Sequence, residues 1–256
     1  MKLFDTHCHL NDELLYKNLD AVIERALKVG VDKMVVIGWD KESSLSAINI
    51  AQRFPFVYAT VGVHPNNIDG VDIAQLNQVF ALAKQNKVVA IGEIGLDYHY
   101  TKDEENHARQ KEIFIKQIEF ANEVGLPIVI HSRDAFLDTI CILKQHKPLH
   151  GGVMHCYSGS VESLKDVLDL GLFIGVDGPV TFKNAKTPKE VAFEAPLEKL
   201  VLETDAPYLS PQAVRGTINE PANLIYIADE IANIRQMSKK HLLEVVYDNA
   251  CRLYKI

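Results

Sequence analysis

Short apolar runs alternate with amphipathic segments along almost the whole chain. The runs are nearly continuous in Val, Ile and Leu, which is typical of parallel β-strands that are covered on both faces. We predict eight such strands, at residues 3–9, 33–38, 57–63, 88–93, 127–131, 152–156, 172–176 and 199–205. Between them, apolar residues repeat at helical spacing, as Phe114 and Ile118 do in the segment 101–124. The start of that segment, Thr101 followed by Glu104, resembles a capping box.

The order of these elements predicts the fold. Eight strand-and-helix units within 256 residues indicate an α/β protein with one (β/α)8 TIM barrel that spans residues 1–256 as a single domain. Two further helical patterns, at 220–236 and 238–252, would close the barrel. A doubly wound open sheet is the alternative, but no predicted strand is followed by the G-x-G-x-x-G turn of nucleotide-binding sheets.

Composition indicates an ordinary globular protein and argues against a membrane-spanning protein and against one that coats long nucleic acids. Hydrophobic residues make up 47% and charged residues 24% of the chain, and no apolar run approaches the roughly 18 residues of a membrane span. The net charge of −7 argues against a broad basic surface for long nucleic acids, although bound cations could still create a local positive site. Four cysteines without a CxxC pair, and a first strand with no leader before it, predict a reduced, cytoplasmic protein.

The first predicted strand carries the first indication of chemistry. His7 and His9 are separated by one residue, so a strand would direct both imidazoles to one face and Cys8 to the other. Two neutral imidazoles that converge form half of a metal site. Because a His-x-His pair also occurs by chance on exposed strands, the pair is informative only if further ligands exist elsewhere in the chain.

Other predicted strands also end on side chains that can bind metal. The strands of a parallel barrel present their C-terminal ends at one face, where barrel enzymes carry their chemistry. The candidate residues at these ends are His7, His9, His64, Glu93, His131, His155 and Asp205. Burying so many polar groups without partners would be costly for each of them. A metal centre accounts for them together.

The number of candidate ligands suggests two divalent ions. One ion would be bound by His7, His9 and Asp205 and the other by His131 and His155, with Glu93 bridging the two. Mixed imidazole and carboxylate ligands suit Zn²⁺ or Mn²⁺ and do not exclude Mg²⁺. Two ions about 3.5–4 Å apart would hold a bridging hydroxide and clamp both oxygens of a phosphoryl displacement.

Six short motifs follow one another through essentially the whole chain. They are Phe-Asp-Thr-His-Cys-His at 4–9, Gly-Val-His-Pro at 62–65, Gly-Glu-Ile-Gly-Leu-Asp-Tyr at 92–98, His-Ser-Arg at 131–133, His-Cys-Tyr-Ser-Gly at 155–159 and Glu-Thr-Asp-Ala-Pro-Tyr at 203–208. In these motifs the sequence resembles the TatD family of metal-dependent deoxyribonucleases. The family is similar to the wider amidohydrolase barrels and hydrolyses phosphodiester bonds, typically by removing nucleotides from the 3′ end of DNA.

The resemblance implies a 3′–5′ exonuclease that uses two divalent ions and acts on DNA ends or oligonucleotides. It implies the six metal ligands named above, with Asp205 and Glu93 as the catalytic carboxylates. It also implies that His64 and Arg133 contact the substrate phosphate. The apolar stripes of the outer helices are compatible with a monomer or a homodimer.

One segment departs from the family's pattern. The family usually has a basic pair after the Arg-Gly of Arg-Gly-Lys-Arg-Asn-Glu-Pro, whereas residues 215–221 have Thr217 and Ile218 in its place. Two cations near the mouth of the predicted site are therefore missing. This difference bears on the affinity for polynucleotide and on the choice of substrate.

Two other functions compete with the nuclease. The same centre could hydrolyse an ester or amide bond of a small molecule or an aminoacyl ester, as in an amidohydrolase. Related binuclear amidohydrolases commonly bridge their metals with a carboxylated lysine on the fourth strand, where this chain has Glu93 and where Lys87 lies at the opposite end. A barrel that binds metal only for structure is disfavoured, since a structural site needs four ligands rather than six. Glu203 shares the strand parity of Asp205 and is expected to orient a ligand.

Overall fold

The computed structural model describes residues 2–256 and contains a barrel of eight parallel strands. The strands are β1 Leu3–Cys8, β2 Val31–Val36, β3 Val57–Val61, β4 Val88–Asp97, β5 Ile128–Arg133, β6 Gly152–Met154, β7 Phe173–Val176 and β8 Leu200–Leu202. Each strand pairs in parallel with the next one along the chain, in the order β1 to β8. The predicted (β/α)8 barrel is therefore confirmed.

The seam between β8 and β1 closes the barrel. The backbone N–H of Asp205 donates to the carbonyl oxygen of His7 at 2.9 Å. The buried carboxylate of Asp5 accepts from the N–H of Thr204 at 3.0 Å and from its hydroxyl at 2.6 Å. Polar side chains thus contribute much of the closing contact, and two of the predicted ligands lie in this seam.

Helices on the outside cover the strands. They are α1 Glu13–Tyr16, α2 Leu19–Lys28, α3 Lys41–Arg53, α4 Ile73–Leu82, α5 Glu104–Val124, α6 Phe136–Gln145, α7 Leu164–Asp169, α8 Thr187–Glu194, α9 Leu224–Ile234 and α10 Lys239–Tyr254. Apolar residues of these helices pack on the strands and form the main core. Among residues 2–256, no helix combines the length and the apolar character that a membrane crossing needs.

Two predicted helices begin elsewhere than expected. Helix α5 begins after Asp103, whose carboxylate accepts hydrogen bonds from N–H groups of the first turn. The capping box predicted at Thr101 and Glu104 is wrong, because aspartate directly before the helix is the better cap. The helix predicted at 220–236 is divided into a 3-10 turn at Pro221–Asn223 and helix α9.

Close to the predicted ligands, two strands each contain one residue more than the segment of the neighbouring strand with which they pair. Along β4 the pairing with β5 shifts between Ile91 and Ile94. Along β1 the pairing with β2 shifts between Asp5 and Cys8. Such bulges bend a strand and change the direction of its side chains. Glu93 therefore lies inside a bulge rather than in a regular ladder.

Candidate metal centre

Two imidazoles and a carboxylate meet where β8 adjoins β1. His7 Nε2 and His9 Nε2 lie 3.2 Å apart. Asp205 Oδ1 lies 3.4 Å from His7 Nε2 and 3.2 Å from His9 Nε2. The chain leaves β8 through a left-handed residue, Asp205 with φ 53°, a conformation that aspartate tolerates better than most residues. The structure thus brings together the three residues predicted as the first ligand set.

Glu93 lies between this group and two further imidazoles. Its Oε2 is 3.5 Å from His7 Nε2, and its Oε1 is 2.9 Å from His131 Nδ1. The same Oε1 is 3.6 Å from His155 Nε2. His131 and His155, which were predicted as one ligand set, therefore both face Glu93. The two rings nevertheless belong to different groups of three potential ligands. One group consists of His7, Glu93 and His155, and the other consists of His64, Glu93 and His131.

Two more buried carboxylates contact the far sides of these rings. Glu203 Oε1 lies 3.1 Å from His155 Nδ1, and Asp97 Oδ2 lies 3.1 Å from His131 Nε2. A carboxylate on one ring nitrogen fixes the tautomer and directs the other nitrogen toward a metal. The contact of Glu203 agrees with the orienting role expected from its strand parity.

Asp97 is absent from the predicted site residues. The strand was predicted to end at Glu93, but β4 continues to pair with β5 as far as Asp97 and Arg133. This extension carries Asp97 into the barrel mouth, where it is buried and also accepts from Asn66 Nδ2 at 3.0 Å. Its parity with Glu93 is the signal in the sequence that would have selected it.

His64 lies beside Glu93, with His64 Nε2 3.6 Å from Glu93 Oε1. Its Nδ1 accepts a hydrogen bond from the N–H of Asn66 at 3.1 Å. Burial lowers the pKa of His64 to about 3, so the ring is neutral and its single proton is on Nε2. With an N–H directed at the centre, His64 is suited to donate a hydrogen bond rather than to bind a metal.

Arg133, the other predicted phosphate contact, is exposed at the end of β5. Its guanidinium lies over the ring of Tyr100, 5.1 Å from the centroid, and Nη1 donates to the Tyr100 hydroxyl at 3.1 Å. The structure places Arg133 at the rim, in contact with Tyr100 rather than with the ligand groups.

The geometry of the first group fits a divalent cation. A tetrahedral site with bonds of about 2.0–2.1 Å separates its ligand atoms by about 3.4 Å. The three separations among His7, His9 and Asp205 are 3.2, 3.4 and 3.2 Å. His7 Nδ1 and His9 Nδ1 are buried and find no hydrogen-bond partner in the part of the chain that the structure describes. Hydrogen bonds at Nδ1 therefore do not orient these two rings, and a cation shared by their Nε2 atoms and Asp205 Oδ1 would account for the convergence of all three ligand atoms.

The charges of the site also favour cations. Burial raises the pKa of Glu93 and of Asp205, but the surrounding imidazoles and their hydrogen bonds outweigh it, so both pKa values fall below the usual range. Burial lowers the pKa of His155, but the charges of Glu203 and Glu93 outweigh it and raise this pKa to about 10. The buried carboxylates therefore stay ionised, and they favour a proton on His155, which a bound cation would replace in balancing the same negative charge.

Comparison with known proteins decides the family. A family model described as TatD related DNase matches residues 4–255. The chain belongs to the TatD family. Among TatD relatives, the uncharacterized metal-dependent hydrolase YabD of Bacillus subtilis is 43% identical over 257 residues, which cover 99% of each chain. The resemblance inferred from the motifs is thereby confirmed.

Other TatD proteins match over the same length. The 3′-5′ ssDNA/RNA exonuclease TatD of Salmonella typhimurium is 34% identical over 260 residues, which cover 99% of each chain. The crystal structure of YJJV, a TatD homolog from Escherichia coli K12, superposes with a TM-score of 0.93 at 29% identity, covering 99% of this chain and 98% of that one. This TatD-family barrel therefore carries the candidate ligand groups of a metal-dependent hydrolase.

Proposed function

We propose that this TatD-family chain is a divalent-metal-dependent deoxyribonuclease that removes nucleotides from the 3′ ends of single-stranded DNA. The observation that carries the proposal is the position of Glu93, whose Oε1 and Oε2 face different imidazoles. A carboxylate shared in this way suits two neighbouring ions, the arrangement that many enzymes use to cleave phosphodiesters. The name of the Salmonella relative as a 3′-5′ ssDNA/RNA exonuclease supports the polarity.

The ligands of the two ions follow from this arrangement. We assign one ion to His7, His9 and Asp205 and the other to His131 and His155, with Glu93 shared. When bound, divalent ions such as Zn²⁺, Mn²⁺ or Mg²⁺ would supply Lewis acidity toward the phosphoryl oxygens and lower the pKa of water. Glu203 and Asp97 would hold the rings of His155 and His131 in place.

The remaining steps belong to the side chains. Asp205, ionised because its pKa is lowered, would orient the attacking water and accept its proton at a carboxylate oxygen. His64 would donate its Nε2 proton in a hydrogen bond to a non-bridging phosphoryl oxygen, where negative charge develops. Arg133 at the rim would bind the neighbouring phosphate through its planar pair of N–H donors.

We place this activity in the cytoplasm. All four cysteines are free, and Cys141 is exposed. Free thiols persist in the reducing cytosol, whereas secreted proteins tend to pair theirs. DNA ends and oligonucleotides in that compartment would be the substrates.

The polarity is tested with metal-stripped protein and single-stranded DNA labelled at either end. After Mg²⁺, Mn²⁺ or Zn²⁺ is restored, a 3′ label should be released first as a mononucleotide, while a 5′ label should move through a ladder of shortening products. Absence of cleavage with every metal would overturn the proposal. Faster turnover of a panel of esters and amides than of DNA would favour an amidohydrolase instead.

The role of Asp205 is tested by Asp205→Asn, with Asp69→Asn in an exposed turn as control. Removing a positioned base should lower turnover at least about 100-fold, whereas the control should match the wild type. A metal-loaded Asp205→Asn protein that hydrolyses DNA at a near wild-type rate would refute this role.

A further inference from the structure

Two aromatic rings border the metal-ligand candidate His9. The ring of Trp39 lies 5.2 Å from the imidazole of His9 at an interplanar angle of 63°, and the ring of Tyr208 lies 5.9 Å from it at 66°. Trp39 follows β2 and Tyr208 follows β8, the two strands that flank β1. The rings therefore stand on either side of His9 at the entrance to the proposed metal centre.

Hydrogen bonds hold the backbone of Trp39 and the hydroxyl of Tyr208, and both residues remain at least partly exposed. The backbone of Trp39 donates to Ser43 Oγ at 2.8 Å and accepts from the N–H of His64 at 2.8 Å. The hydroxyl of Tyr208 donates to Asp12 Oδ2 at 2.9 Å, while half of the Tyr208 side chain is exposed. Because the hydroxyl of Tyr208 and the backbone of Trp39 are already hydrogen bonded, stacking a planar ligand on the rings would cost the protein little further conformational entropy.

The segment that carries Tyr208, on this side of the entrance, is poor in free cations. Residues 206–220 contain one basic side chain, Arg215, and its guanidinium lies over the ring of Phe182, 4.6 Å from the centroid. The large apolar and aromatic side chains exposed in this segment are Tyr208, Leu209 and Ile218. A row of phosphates would therefore find few partners here, whereas a planar apolar group would find several.

We propose that Trp39 and Tyr208 form a stacking site for one unpaired nucleobase, that of the terminal nucleotide. The inference rests on the proposed nuclease function and names its substrate class, which is short oligonucleotides and frayed single-stranded ends. Such a substrate is bound through one base, the phosphate at the metal centre and the neighbouring phosphate at Arg133, rather than along a longer track of phosphates. Stacking on aromatic side chains accepts any base, because every base has a π-face.

Trp39 is the only tryptophan of the chain, so its emission reports directly on this site. The first experiment titrates metal-loaded wild-type protein with deoxyadenosine monophosphate and, separately, with 2-deoxyribose 5-phosphate, which has the same phosphate but no base. The nucleotide should quench the emission saturably and bind about 10- to 100-fold more tightly than the sugar phosphate, the scale of one stacked base. Equal affinities, or an unchanged emission, would overturn the proposal.

The second experiment measures the cleavage of a tetranucleotide by ring variants. Trp39→Ala and Tyr208→Ala should each raise KM about 10-fold or more with a smaller change in kcat, since base stacking contributes mainly to uniform binding. Trp39→Phe and Tyr208→Phe keep a ring and should largely restore KM. Phe193→Ala, which removes an exposed aromatic side chain from α8, is the matched control and should behave as wild type. Alanine variants with unchanged KM would refute the stacking site.

Length and salt give a third readout. The affinity should change little beyond the first few nucleotides. The logarithm of the binding constant should fall against the logarithm of salt with a slope of about −1.4, which is about 0.7 for each of the two phosphates at the metal centre and at Arg133. A steep slope that grows with length would indicate a phosphate track and contradict the proposal. If the nucleotide quenches the emission but the protein does not cleave DNA, the base-stacking site is supported and only the proposed nuclease activity is overturned.

Discussion

The imidazoles at the barrel mouth differ in what contacts their two ring nitrogens. His131 and His155 each have one nitrogen on a carboxylate outside the ligand groups, Asp97 and Glu203 respectively. Such a contact raises the basicity of the ring and holds it in one orientation. Glu203 lies two positions before the predicted ligand Asp205 and can be inferred from that spacing. Asp97 lies in a motif that can be interpreted as a loop until the length of β4 is known.

Replacing Asp97 should therefore weaken metal binding at His131 without unfolding the protein. We expect Asp97→Asn to lower the affinity of one of the two metal-binding steps about 10- to 100-fold, because the ring loses its ionised partner. Competition with a chelator measures this affinity. Asp138→Asn is the matched control, since Asp138 accepts from the Tyr98 hydroxyl at 2.8 Å and makes no hydrogen bond to His131. Two unaltered binding steps in Asp97→Asn would contradict the assigned contact.

At the scale of elements, the apolar runs predict where strands begin better than where they end. Burial of Val, Ile and Leu is a local property of the sequence, so all eight strands appear in the expected order. The strand predicted at 199–205 shortens to Leu200–Leu202, because its ladder with β7 ends at Leu202 and the backbone of Asp205 bonds to β1 instead. Conversely, β4 extends through Gly95 to Asp97, since it finds partners on β5. Pairing between distant segments determines where these strands end, and the local pattern of apolar residues carries no information about that pairing.

Gly95 shows how closely β4 and β5 approach at the site. It pairs with His131, has a φ of 144°, and a Cβ built on it would lie 1.9 Å from the carbonyl oxygen of His131. Gly95→Ala should lower the free energy of unfolding by at least about 3 kcal/mol, since backbone strain and a backbone clash add. Gly70→Ala, with φ 71° and open space around its Cβ, should show the strain alone, about 1–2 kcal/mol. Urea denaturation compares the two, and equal losses would refute the close approach.

At the scale of the whole molecule, the proposed metal centre and the closure of the barrel share the same seam. Asp5 of β1 and Thr204 after β8 are buried and hydrogen bonded to each other across it. His7 and Asp205 follow these residues in the chain, so the contact that closes the barrel also sets the distance between two ligands. The motifs at either end of the sequence predict that these ligands meet. They do not predict that buried polar side chains hold them there, because that depends on two segments almost 200 residues apart.

Thr204→Val tests this coupling, because it keeps the shape of the side chain and removes the hydroxyl that donates to Asp5 at 2.6 Å. Leaving a buried carboxylate with one donor fewer should lower the free energy of unfolding by about 1–3 kcal/mol. Metal affinity should also fall, about 10-fold by chelator competition, as the seam between His7 and Asp205 loosens.

Thr139→Val is the matched control, since its buried hydroxyl donates at 3.0 Å to the carbonyl oxygen of Ala135, away from the seam. We expect it to cost similar stability in urea and to leave metal affinity unchanged. Equal metal affinity in the two variants would contradict the coupling, because it would show that the Asp5–Thr204 contact does not set the positions of the ligands.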